Sequence, residues 1–281
     1  CYAGNAARTF YHVARQTSFN GPILVSLHGS DVTWEPQTRP GYKRDLCKLA
    51  ERPNVAFTVP SKFLKHKVQE NLGIAEHQIY VVRNGVNPAF ERNKQPPTEA
   101  NKVICIGRFI DCKGQIHLID AFSKVIQQVA DASLTLVGTG PNKQMLARRV
   151  ESLGIDSQVE FIDRIPHQEL PAFLKQFKVY VQPSVKDLKT GQEESFGVAA
   201  LEAGACGLKV ITSDSGGLPE AIENLTGYTR SVPPADVEHL SQAIHEAFVD
   251  KTMYSGVNER DTQDYNAATI INIYNDLLAV K

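Results

Sequence analysis

The sequence predicts an α/β protein in which two parallel-sheet domains face each other across a cleft. Three observations predict it. Short apolar runs alternate with helix-patterned runs almost from end to end, the pattern left by parallel strands joined through crossover helices. A polar, proline-bearing stretch at residues 92–101 interrupts the alternation and has the composition of a domain linker. His28, Asn84, Gly107, Gly138, Arg164, Ser184 and Gly216 each stand just after a strand-like run, at the edge where open parallel sheets bind ligands.

Taken in order, residues 1–17 carry a helical pattern, and 23–27 form a short apolar strand ending in His28-Gly29-Ser30-Asp31. A loop holding Trp34, Pro36 and Pro40 leads to a helix at 42–51 and a strand at 55–59. Ser61 caps a helix reaching about residue 71, and a strand at 79–82 ends in Arg83-Asn84-Gly85. Beyond the linker the alternation restarts with a strand at 103–106, then Gly107-Arg108, and a helix opened by Lys113-Gly114 that runs to about 129. Strands at 134–137, 159–162, 179–181 and 209–212 follow, separated by helices at 143–153 and near 169–176 and by one opened by Glu194. Pro219-Glu220 starts a short helix, 237–249 is amphipathic, and a helix at 265–280 closes the chain. The linker divides the whole into residues 1–96 and 97–262, with a final helical segment at 263–281.

The 281 residues, 42% hydrophobic and 22% charged, suffice for two domains that each bury a core. A formal net charge of −1 leaves no basic footprint for nucleic acid and no bulk attraction to an anionic membrane. Cys1, Cys47, Cys105, Cys112 and Cys206 are scattered without C-x-x-C spacing, so they read as reduced cytosolic thiols rather than a disulfide framework or a zinc site. No apolar run is long enough to span a bilayer and no secretory signal is legible. The chain opens on Cys1 within a helical pattern, from which we expect a fragment.

Five motifs carry chemistry. In E-S-F-G-V-A-A-L-E, residues 194–202, Phe196, Ala199, Ala200 and Ala203 form a small apolar face, and Gly204 and Gly207 allow close packing and a stop. Placed on one helix, Glu194 and Glu202 lie about 80° apart around the axis and about 12 Å apart along it. That span suits the ends of a nucleotide-sugar with its diphosphate at the helix start; the competing reading is two solvated glutamates. Arg108 and Lys113, flanking Gly107 and Gly114, offer a planar fork and a point charge to a diphosphate, or are surface cations. Gly138 and Gly140 lie in G-T-G-P, where Lys143 replaces the third glycine of a dinucleotide fingerprint and no acidic partner follows. These departures argue against a nicotinamide site and leave a loop approaching a base or ribose, or a plain tight turn.

His28 is a candidate general base, sugar ligand or core histidine; with no G-x-S-x-G elbow in the chain, a Ser-His-Asp hydrolase is ruled out. The other histidines show no metal-ligand spacing, so no metal residue is assigned. Gly216-Gly217 before Pro219-Glu220 is either a second seat for anionic oxygens or a turn whose glycines serve geometry alone. Lys62, Lys65, His66 and Lys67 read as the solvated face of a helix, against a membrane-facing patch.

Together, I-G-R-F-I-D-C-K-G at 106–114, L-V-G-T-G-P at 136–141, E-S-F-G-V-A-A-L-E-A at 194–203 and G-G-L-P-E at 216–220 resemble, in that order, the retaining glycosyltransferases of family 4. S-L-H-G-S-D at 26–31 and R-N-G-V-N-P-A-F at 83–90 are similar to the same family's first-domain segments, so the resemblance covers essentially the whole chain. It implies the GT-B fold, two Rossmann-like domains, with the first incomplete because further strands and a glycine-rich loop belong ahead of Cys1. It implies that Glu194 holds donor-sugar hydroxyls, Glu202 the ribose, and Arg108 and Lys113 the diphosphate. Amides of Phe196, Gly197 and Val198 add to the diphosphate site. Ser195, in the same donor-binding set, stands where many members carry glycine, and Lys209 replaces a usual proline.

The base is expected near Gly138, Gly140 and Arg164, with Gly107 beside the phosphates, His28 over the sugar, and the last helix packed back on the first domain. The implied reaction is front-face hexosyl transfer with retention from a nucleotide-diphosphate sugar, needing no cofactor and no metal. The acceptor is a glycan, lipid-linked or small-molecule hydroxyl, in the cytoplasm or at the inner face of a membrane with peripheral contact, and nucleic acid is no partner. The alternatives are a GT-B sugar-nucleotide epimerase or phosphorylase, or a catalytically silent nucleotide-sugar-binding fragment.

Overall fold

The computed structural model describes residues 5–17, 19–91, 98, 100–252, 258 and 261–279. In the first half, α1 (Asn5–Gln16) precedes β1 (Ile23–Ser26), followed by α2 (Ser30–Thr33), α3 (Glu35–Thr38), α4 (Pro40–Ala50), β2 (Val55–Val59), α5 (Lys62–Leu72), β3 (Ile79–Val81) and α6 (Pro88–Glu91). The second half runs β4 (Lys102–Ile106), α7 (Gln115–Gln128), β5 (Ser133–Val137), α8 (Lys143–Ser152), β6 (Val159–Ile162), α9 (Leu170–Leu174), β7 (Val179–Gln182) and α10 (Val198–Ala205). It ends with β8 (Lys209–Ser213), α11 (Leu218–Ile222), β9 (Thr229–Val232), α12 (Val237–Val249) and α13 (Gln263–Ala279).

All strand pairs are parallel. The first sheet has the order β1-β2-β3, and its central strand V-A-F-T-V is buried at every position, as a strand covered on both faces must be. The second sheet has the order β6-β5-β4-β7-β8-β9. From β4 the chain builds outward to β6, then returns to the other side of β4 with β7. Strand order therefore reverses between β4 and β7, and in such sheets the crevice above the reversal takes the ligand. The chain is an α/β protein with two parallel-sheet domains.

Local chemistry explains the element ends. Ser61 Oγ accepts from Leu64 N–H at 3.0 Å to start α5, and Asp236 accepts from His239 N–H at 3.0 Å to start α12, whose ends match the pattern read from sequence. After α10, Leu208 N–H returns to Ala203 O (3.1 Å) and Gly207 N–H to Gly204 O (2.8 Å), with Gly207 at φ +91°. α13 lays Ile273 and Leu277 against Ala56 and Val82, so the chain returns to the first sheet after completing the second.

Three expectations change. The loop around Trp34, Pro36 and Pro40 contains two single helical turns, α2 and α3, and both prolines sit in first turns, where a missing N–H costs nothing. β9 (T-R-S-V) carries no apolar run because it is a half-exposed edge strand. Glu194 is not on a helix: α10 begins only at Val198, because Gly197 at φ +112° caps it and Gly217 N–H holds Glu194 O at 2.8 Å in an extended lead-in. The helical angle and rise between Glu194 and Glu202 therefore do not apply. Most of the 92–101 linker, with Cys1 and residue 280, lies outside the described residues.

Candidate active site

A cavity of about 340 Å³ opens between the two sheets. The turn after β1 supplies His28, Gly29, Ser30, Asp31, Thr33 and Glu35, and the loops after β4 and β7 supply Arg108, Cys112, Lys113 and residues 192–195. These last two loops flank the reversal of strand order and are pressed together. A Cβ on Gly114 would lie 2.0 Å from Pro183 O, and Val185 N–H bonds Cys112 O at 2.9 Å. On the opposite wall the Asp31 carboxylate, 8% exposed, accepts from His28 N–H (2.8 Å) and Gly29 N–H (2.6 Å) and folds the turn that carries His28. Burial raises the pKa of Asp31 above the ordinary aspartate range, with these backbone bonds opposing it. Gly29 faces Ser195 so closely that a Cβ there would meet the serine Cβ and Oγ at 3.4 Å.

The second-domain wall is an ordered polar chain. Lys113 Nζ is ion-paired with Glu194 Oε2, and the same oxygen accepts from Gln182 Nε2 at 2.7 Å. Tyr180 OH donates to Gln182 Oε1 at 3.0 Å from the floor of the sheet. Arg108 is exposed, and no carboxylate among the described residues comes within ion-pair distance of it. Its carbonyl is held by the buried Gln115 side chain at 3.0 Å. The wall thus presents one open guanidinium and one ammonium shared with a carboxylate.

The Glu194 segment is gripped from both domains. Gly216, at φ +60°, packs so tightly that a Cβ would lie 2.1 Å from Glu194 O, and one on Gly217 would lie 2.2 Å from Ser195 O. These glycines serve geometry, so the anion seat considered for them is not supported. From the first domain, Ser61 Oγ donates to Ser195 O at 2.6 Å, while the Glu220 carboxylate accepts from Lys62 and Phe63 N–H, each at 2.8 Å. Arg83 ties Asp261 and Glu223 at 2.5 Å each and stacks over Phe196 at 5.3 Å.

The structure thus brings His28, Arg108, Lys113, Glu194 and Ser195 to one cavity. Gly107 sits beside the Lys113 side chain, where an added Cβ would meet Cδ at 3.7 Å. Gly138 and Gly140 do not line this cavity; they let the loop after β5 approach Gly107 O and Phe109 O, at 2.0 and 2.3 Å from ideal Cβ positions. Phe196 is buried, Gly197 caps α10, Val198 opens it, and Arg164 is exposed at the end of β6. Glu202 lies apart within α10, 9% exposed, with His167 Nε2 at 3.0 Å; burial raises its pKa and the histidine opposes the shift.

Within the basic run of α5, Lys65 pairs with Glu76 at 3.2 Å and Lys67 with Glu70 at 2.8 Å, in accord with a solvated face. Cys47, Cys105, Cys112 and Cys206 are free thiols, and burial pushes Cys105 and Cys206 up to about 12. Sequence reasoning missed Gln182 and His167, and named Asp31 and Glu220 only within H-G-S-D and G-G-L-P-E, without the contacts they make. Gln182 did leave a signal, as the one polar residue closing an otherwise apolar strand, V-Y-V-Q.

No helix among the described residues is long and apolar enough to cross a membrane. Glycosyl transferases group 1 match the chain over residues 87–268. The chain is 35% identical over 238 residues to a GDP-mannose-dependent alpha-(1-6)-phosphatidylinositol monomannoside mannosyltransferase of Mycolicibacterium smegmatis, covering 81% of this chain and 61% of that protein. It is 28% identical over 270 residues to a glycogen synthase of Mycobacterium tuberculosis, covering 92% of this chain and 63% of that one. The chain thus spans about three-fifths of the length of the curated relatives it matches. Anabaena Alr3699/HepE, solved with UDP and glucose, shares the fold at a TM-score of 0.69 and 19% identity, covering 99% of this chain and 74% of that one. The two-sheet architecture and the extent of the family match agree: this chain belongs to the group 1 glycosyl transferases, with the GT-B fold.

Proposed function

We propose that the chain moves a hexose from a nucleotide-diphosphate sugar to an acceptor hydroxyl with retention, in the cavity between its two sheets. The observation that carries this reading is the pairing of Lys113 with Glu194, beside an open Arg108 and opposite His28, at the reversal of strand order. Arg108 and Lys113 hold the diphosphate, the amides of Phe196, Gly197 and Val198 add to them, and Ser195 lines the floor. Glu194 takes donor-sugar hydroxyls and His28 covers the sugar from the first domain. Glu202, steadied by His167, takes the ribose; the base lies by Gly138, Gly140 and Arg164.

In the transfer, the bond from sugar C1 to the phosphate oxygen breaks and its electron pair leaves with the nucleotide diphosphate. The acceptor oxygen bonds C1 on the same face, and its proton passes to the departing phosphate oxygen. The protein contributes position and positive charge, which are worth most where they meet charge developing in the transition state. With two cations in place the leaving group needs no divalent ion.

The 35% relative makes GDP-mannose and phosphatidylinositol monomannoside the first donor and acceptor to assay, and the structural neighbour makes UDP-glucose the second donor. Such a lipid acceptor entails peripheral contact with a membrane. Titration calorimetry with each nucleotide-sugar, followed by nucleotide release with acceptor, tests the proposal. Lys113→Ala is expected to lower transfer by about two orders of magnitude, and EDTA to leave the rate unchanged. Binding without transfer to any acceptor would assign this chain donor binding alone, and no binding of any nucleotide-sugar would overturn the proposal.

A further inference from the structure

Beneath the cavity, Gln182 is the last residue of β7 and only 4% exposed, and it meets two groups. Its Oε1 accepts from Tyr180 OH at 3.0 Å, and its Nε2 donates to Glu194 Oε2 at 2.7 Å. Tyr180 is fully buried, and its other polar neighbour, Ile106 O, stands farther off at 3.5 Å. A phenol has one proton, and the shorter contact takes it. Burial pushes the Tyr180 phenol well above its ordinary range, so it stays protonated and remains a donor. The amide of Gln182 therefore has one orientation. Turned over, its oxygen would face a carboxylate, acceptor against acceptor, inside a weakly screening interior.

The consequence falls on Glu194. Both of its bonds, from Gln182 and from Lys113, land on Oε2. Oε1 is left, on a side chain that is 13% exposed and lines the cavity. An ionised carboxylate accepts hydrogen bonds and offers none. Resting on the proposed donor site, we propose that Gln182 is a positioning residue that fixes Glu194 so that Oε1 accepts from one hydroxyl of the donor sugar. Tyr180 acts one step further back, as the group that sets the amide's direction. Gln182 touches none of the groups assigned to the nucleotide or diphosphate, and Lys113 meets Oε2 through its own ion pair rather than through the amide, so the effect of this hydrogen-bond relay is confined to the sugar.

That confinement supplies the test. For the full chain, the affinities of GDP and GDP-mannose are measured by titration calorimetry, and the same pair with UDP and UDP-glucose. Gln182→Met keeps the length of the side chain and removes both polar atoms, while Ile106 O remains within reach of Tyr180. The ratio of nucleotide-sugar Kd to nucleotide-diphosphate Kd is expected to rise about tenfold in this variant, with nucleotide-diphosphate binding unchanged. Tyr180→Phe is expected to move the same ratio in the same direction by a smaller factor, and it keeps the test open should Gln182→Met fail to fold. An unchanged ratio in both variants, or equal losses for both ligands, would overturn the inference while leaving the donor site standing. A wild-type chain that binds neither ligand would overturn the donor site, and this inference with it.

Discussion

At the scale of the residue, the site depends on how closely backbones approach one another. Gly216 occupies φ +60°, and a methyl group in its place would lie 2.1 Å from the carbonyl oxygen of Glu194. Only backbone lies in the way, so a substitution must move the lead-in to α10 and the carboxylate it carries. Gly216→Ala is expected to lower stability by about 2 kcal/mol, from left-handed strain and displacement together, and to weaken nucleotide-sugar binding. Urea unfolding and calorimetric titration of the same variant check the two effects. Of the glycines read from sequence as candidates for ligand contact, Gly138, Gly140 and Gly216 are explained by these approaches. A sequence shows that a glycine is present and says nothing of which backbone lies across from it.

At the scale of the element, α1 is held to α4 through Asp45, whose side chain is 2% exposed. Arg8 Nε donates to it at 2.9 Å, and Arg44 Nη2 stands at 3.3 Å. Burial pushes this carboxyl up, and the two guanidiniums outweigh it, holding its pKa below the ordinary aspartate range. A depressed pKa in the folded state means that the unfolded chain takes up the proton first as the solution is acidified. The stabilisation is therefore complete above the unfolded pKa, near 4, and is lost as pH falls through the folded value. Asp45→Asn is expected to cost about 1–2 kcal/mol at pH 7 and progressively less as pH falls below about 4, as read from urea midpoints across that range.

Elements were also the most legible level of the sequence. The residues of α12 follow directly from its apolar period, and the apolar core of β2 from its run of V-A-F-T-V. The start of α10 was misread because Phe196 fits the apolar period of that helix from outside it. This side chain is buried in the apolar cluster around α10 and stacks beneath Arg83, a contact across 113 positions that no local pattern encodes. Likewise Glu194 and Lys113 were legible as separate charged candidates, whereas their salt link, and the amide of Gln182 beneath it, follow from bringing β4 and β7 side by side.

At the scale of the whole molecule, the two domains are joined by polar contacts that centre on Arg83. Its side chain is 13% exposed, and it holds Asp261, whose side chain is fully buried. Removing the guanidinium strands that carboxylate in a dry interface, a situation that costs about 3–5 kcal/mol. Arg83→Ala is expected to split thermal unfolding into two calorimetric transitions, one per sheet. Arg83→Ala combined with Asp261→Ala should restore part of the loss, because the orphaned charge is gone. A single unshifted transition in Arg83→Ala would show that the apolar contacts of α13 suffice to join the halves.

The Lys113–Glu194 link joins positions 81 residues apart, and the Ser61–Ser195 bond spans 134. Neither half of the chain alone possesses the cavity, since its walls come from three separate segments, residues 28–35, 108–113 and 192–195. A ligand seated there is bound by the finished fold alone, and by mass action it stabilises every part of it. At a hundred times its dissociation constant that linkage amounts to about 2.7 kcal/mol. Resistance to proteolysis at sites that open only on global unfolding, far from the cavity as well as near it, should then rise with ligand concentration, which makes the occupant discoverable by screening for protection without any knowledge of the reaction.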